Sequence, residues 1–71
     1  MRLIINGEER EFPQLASVAD LVAQLAMKAD RVAVELNRDI VPRGQWSSTP
    51  VADGDRLEIV HFVGGGSFRS S

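Results

Sequence analysis

The 71-residue chain contains no cysteine, which removes disulfides, thiolate metal sites and thiol nucleophiles together. A single histidine, His61, is too few to build a histidine-ligated metal centre. No apolar run approaches the roughly 18 residues of a membrane-spanning helix. The opening Met1-Arg2-Leu3-Ile4-Ile5 turns polar too soon for a secretory signal. There is little excess of either charge: ten acids against eight bases give a net charge of −2. No basic stripe marks a nucleic-acid binder, and no basic amphipathic segment marks a membrane-surface peptide. These absences point to a cytoplasmic chain whose partners are neither nucleic acids nor membranes. They also point away from an enzyme, since so short a chain leaves no room for a substrate cleft of several hundred Å³.

What is present suits one small folded domain. Hydrophobic residues are 44% and charged residues 25%, close to the globular average and away from the disordered class. Leu3-Ile4-Ile5 is followed by Asn6-Gly7, the strongest short hairpin signal, and Glu8 to Phe12 returns as a second strand before Pro13. Ser17 to about Met27 reads as the helix: Val18, Leu21, Val22 and Leu25 form one apolar stripe. Ser17 is its N-cap, Asp20 lies in its first turn, and Lys28 lies near its C-terminus.

Val32 to Asn37 alternates with period two and reads as a third strand, followed by a turn at Asn37-Arg38-Asp39 and a short strand at Ile40-Val41. Arg43 to Pro50 has no periodicity, and Trp46 is expected to close one end of the core. Asp53-Gly54-Asp55 reads as a turn rather than a metal loop, because a Ca²⁺ site needs more oxygen ligands. Arg56 to Phe62 is the strongest strand, with Leu57, Ile59 and His61 on one face and Glu58, Val60 and Phe62 on the other.

The order β-β-α-β-β-β predicts an α+β fold in which one helix crosses a mixed sheet, the ubiquitin-like β-grasp. The apolar first and last strands are expected side by side at its centre. The expected core is Leu3, Ile5, Val18, Leu21, Val22, Leu25, Val34, Leu36, Leu57 and Ile59. Ile4, Val60 and Phe62 then face outward as an apolar docking patch. Residues 1–63 form the domain and residues 64–71 a flexible glycine tail with a short extension.

No catalytic constellation is visible, so attention falls on Gly64-Gly65-Gly66. Three glycines bury no side chain and carry the largest entropy of ordering. What they offer is a slim backbone: Phe62 to Gly66 extended reaches roughly 17 Å, enough to deliver a carboxylate into another protein's active site.

In these residues the chain resembles the ThiS family of sulfur carriers for thiamin thiazole synthesis. The resemblance rests on Ile4-Ile5-Asn6-Gly7, on Val34-Glu35-Leu36-Asn37-Arg38 with Ile40-Val41-Pro42, on Trp46, and above all on Gly54 through Gly65. It covers residues 1–66. It implies a β-grasp carrier, not itself an enzyme, whose C-terminal glycine is adenylated by an E1-like (ThiF-like) enzyme using ATP and Mg²⁺. The adenylate then becomes a thiocarboxylate, with sulfur from a donor such as a cysteine desulfurase, and passes it to a ThiG-like thiazole synthase. The carrier binds no cofactor of its own. The implied reacting residue is Gly66, alternatively Gly65, with Gly64 and Gly65 as the slim approach. Family members end at the glycines, whereas this chain continues from Ser67 to Ser71. Either the extension is trimmed or the chain has diverged. The competing readings are a MoaD-like carrier for molybdopterin synthesis, a ubiquitin-like modifier, and a plain interaction module.

Overall fold

The structure is a computed structural model that describes residues 1–61. Strand β1 (Arg2–Ile5) pairs antiparallel with β2 (Glu8–Glu11), Ile5 opposite Glu8. Asn6 and Gly7 both take left-handed backbone, with φ of 51° and 86°. A two-residue type I′ loop demands this, and Asn and Gly are the residues that tolerate it. Strand β2 stops at Glu11, because Phe12 turns its ring into the core and keeps only its backbone tie to Met1. The four β2 side chains are charged or solvent-facing throughout, which suits an edge strand open to unwanted pairing.

Helix α1 spans Val18–Gln24 and is shorter than the apolar stripe suggests. The Ser17 hydroxyl accepts from the Asp20 amide at 3.3 Å, and the Asp20 carboxylate accepts from the Ala16 amide at 3.0 Å. The first bond satisfies an amide that the first turn leaves free, and the second fastens the residue before the cap to that turn. At the other end Ala26 adopts φ 59°. Its amide donates to Ala23 and that of Met27 to Val22, a Schellman closure that stops the helix. Lys28 therefore lies beyond the helix, and Leu25 caps the stripe only partly buried.

A short 3₁₀ turn, Ala29–Arg31, leads into β3 (Val32–Leu36), which pairs antiparallel with β4 (Asp39–Val41). Between them Asn37 and Arg38 form a second two-residue loop with φ of 50° and 77°. The aperiodic stretch that follows is not irregular: Arg43–Ser48 is a 3₁₀ helix. Trp46 anchors it, buried to 4% exposure with its indole Nε1 donating to the Val41 carbonyl at 2.9 Å. The tie of Val18 N–H to the Thr49 carbonyl then fastens this segment to the start of α1.

Strand β5 (Arg56–His61) enters the middle of a five-stranded sheet of order β2-β1-β5-β3-β4. It runs parallel to β1 and antiparallel to β3, so the first and last strands are central neighbours, as expected for a β-grasp. Leu3, Val18, Leu21, Val34 and Leu57 are fully buried between sheet and helix. Val32 joins them on the face that the period-two pattern shares with Val34, and Phe12, Leu15, Val41 and Val51 are brought inward by the three-dimensional course of their loops and edges. Leu36 is partly buried at the rim of this core.

Candidate functional site

The helix covers one sheet face and leaves the other open. Along β5 the core takes Leu57 and Ile59, so Arg56, Glu58 and Val60 point outward. The pairing register arranges the open face in rows. Glu9, Ile4 and Arg56 are neighbours across β2, β1 and β5. Ile40, Glu35 and Glu58 are neighbours across β4, β3 and β5. Ala33 sits beside Val60 in the last described row. Ile4 and Val60 thus share the face without touching: Ile4 lies level with Arg56, and roughly 13 Å of strand separates that row from Val60. Among the described residues the large apolar side chains open to solvent are Ile40, at 74% exposure, and Val60, at 47%. Ile40 was not expected in the docking patch, because nothing in a short strand ending at Pro42 says which way it faces.

Two asparagines hold β5 where its strand neighbours turn away. Asn6 uses its carboxamide like a strand backbone: Nδ2 donates to the Ile59 carbonyl at 3.1 Å, and Oδ1 accepts from the Ile59 amide at 2.7 Å. Asn37 does the same at the start of the strand, where Oδ1 accepts from the Arg56 amide at 3.1 Å and Nδ2 donates to Asp55 at 3.2 Å. The sequence marks both as turn residues but gives no signal of these long-range ties. The carboxylates of the Asp53-Gly54-Asp55 turn are occupied too: Asp53 accepts from the Arg2 amide and Asp55 from the Ala52 amide. Among the described residues no group of His, Cys, Asp and Glu is arranged to hold a metal ion. His61 ends β5 opposite Val32 and is exposed. Among the described residues no helix is long and apolar enough to cross a membrane.

The open face carries exposed charged and apolar side chains, and β5 ends at His61. Phe62, Gly64, Gly65, Gly66 and the whole 64–71 tail lie outside the described residues.

A sequence profile described as "ThiS family" matches residues 3–66. The chain belongs to the ThiS family. It is 34% identical over 65 residues to the sulfur carrier protein ThiS of Bacillus subtilis, covering 90% of this chain and 98% of that one. A crystal structure of ThiS from Geobacter metallireducens superposes with a TM-score of 0.77 at 35% identity, over 92% of this chain and 99% of that chain. A thiazole synthase of Paramagnetospirillum magneticum is 49% identical over 67 residues, 94% of this chain. This chain spans only 21% of that protein's length, and 20% of a second thiazole synthase from Magnetococcus marinus. ThiS-like sequence therefore occurs both as a small protein and as one segment of a much larger one.

Proposed function

We propose that this chain is a cytoplasmic sulfur carrier for thiamin thiazole formation, acting through the carboxylate of Gly66. The family match carries this reading, because it runs without a break from β1 to Gly66. Hydrolysis of the Gly66–Ser67 peptide bond first frees the Gly66 carboxylate; its oxygen then attacks the α-phosphorus of ATP, pyrophosphate leaves, and an acyl-adenylate forms on a ThiF-like enzyme that holds the Mg²⁺. The outer sulfur of a persulfide, supplied by a donor such as a cysteine desulfurase, displaces AMP to give an acyl disulfide, and a thiol reductant then cleaves its S–S bond, leaving the thiocarboxylate and a disulfide. A ThiG-like thiazole synthase then takes the sulfur. The carrier is a substrate in each step. Ile4, Val60 and Phe62 contribute to docking, while Gly64 and Gly65 give the slim approach. Gly65 is the alternative reacting residue.

The presence of ThiS-like sequence inside two proteins named thiazole synthase supports that enzyme as the recipient. The decisive experiment compares the 71-residue chain with one ending at Gly66, each given purified adenylating enzyme, ATP and a sulfur source. Reacting atoms must approach to about 3–3.5 Å, and five extra residues extend the chain by as much as roughly 17 Å. The Gly66-ended chain is therefore expected to release pyrophosphate and to gain the mass of an oxygen-to-sulfur exchange, the longer chain far less. Equal activation of both would remove the trimming requirement. Activation of neither would refute the carrier assignment.

A further inference from the structure

The open sheet face carries an electrostatic arrangement that the fold by itself does not favour. Glu35 and Glu58 are direct cross-strand partners on β3 and β5, with both side chains on the face away from the core. Like charges directly opposite one another destabilise a sheet. Among the described residues the only ion pair is that of the Met1 amine with Glu11, so neither glutamate is neutralised there. The nearest cation on the same face, Arg56, sits one row away without pairing to them. The two carboxylates are flanked by Ile40 in the same row and by Val60 in the next, the two exposed large apolar side chains among the described residues. An acidic pair between exposed apolar groups is the complement of a cation seated between apolar side chains. Charge complementarity of this kind fixes register and selects the partner, and it is screened less once solvent is excluded.

We infer that Ile40, Glu35, Glu58 and Val60 form the docking surface for thiazole synthase, which presents an arginine or lysine to the two carboxylates. This rests on the carrier reading above. The choice of occupant follows from the two thiazole synthases that contain ThiS-like sequence within one chain, where carrier and enzyme are held together covalently. Where carrier and enzyme are separate chains, contact must supply the proximity that a covalent link provides. The guanidinium or ammonium would relieve the repulsion between the glutamates on binding, so the same pair that weakens the free fold strengthens the complex.

The test uses the full chain and purified thiazole synthase from the same organism, with titration calorimetry at low and at moderate ionic strength. Glu35→Gln and Glu58→Gln are each expected to weaken binding about tenfold and to flatten its salt dependence. Their melting temperatures should stay level or rise, since the repulsion is gone. Glu35→Lys pairs with Glu58 internally, so it should melt higher still and bind more weakly than either. Undiminished affinity of all three variants overturns the inference. So does affinity lost together with a lowered melting temperature, which would assign the glutamates to the fold. Charge dependence seen only with the adenylating enzyme, or only in self-association, overturns the choice of occupant. Thiocarboxylate formation is measured in parallel by intact mass on a chain ending at Gly66. A wild type that gains sulfur while its synthase binding ignores these charges refutes this inference alone, and one that gains none refutes the carrier reading with it.

Discussion

Ala26 and Arg38 occupy left-handed backbone, with φ of 59° and 77°, at positions where glycine is the favoured residue. An L-residue there costs about 1–2 kcal/mol, against which a glycine substitution loosens the unfolded chain by about 0.4–1 kcal/mol. Ala26→Gly and Arg38→Gly should each stabilise by about 0.5–1 kcal/mol, a net of those two effects. That is visible as a melting temperature several degrees higher in a chain of this size. Leu57 lies at the opposite extreme. It is fully buried on the central strand, between β1 and β3. Leu57→Ala should cost about 2–5 kcal/mol, most of the stability such a small domain has, and chemical denaturation will measure it.

At the scale of elements, the last strand is held by more than its ladder. Strand β1 gives way to a turn after Ile5, yet the Asn6 carboxamide continues its pairing as far as Ile59. Asn6→Gly keeps the left-handed backbone and removes only the side chain, leaving both backbone groups of Ile59 without their partner. The expected cost is about 1–3 kcal/mol, with hydrogen-exchange protection lost first at the Ile59 amide. Protection unchanged at that amide would show that water replaces the side chain at no cost. Helix α1 teaches the same lesson in reverse. Its stripe extends to Leu25, but a Schellman closure two residues before Lys28 ends it, and that closure uses an alanine where the sequence signal would be glycine.

For the whole molecule, the two sheet faces differ: one buries the core, the other is open to solvent. Ile40→Ser touches only the second. At 74% exposure the side chain contributes little to packing, so stability should change by less than about 0.5 kcal/mol. Affinity for thiazole synthase should nonetheless fall several-fold in the calorimetric titration, and unchanged affinity would place Ile40 outside the interface. The sequence by itself determined the element order, the Asn6-Gly7 hairpin and the burial of Leu3, Val18, Leu21 and Leu57. These are properties of short segments, set by turn preferences and by periods of two and 3.6 residues. Only the tertiary structure decided that Phe12, Leu15 and Val51 go inward, that Arg43–Ser48 winds into a 3₁₀ helix, and that Glu35 meets Glu58. Each depends on what a distant segment places alongside. The burial of a loop residue and the partner of a strand residue are fixed by register and packing between segments, which local patterns do not encode.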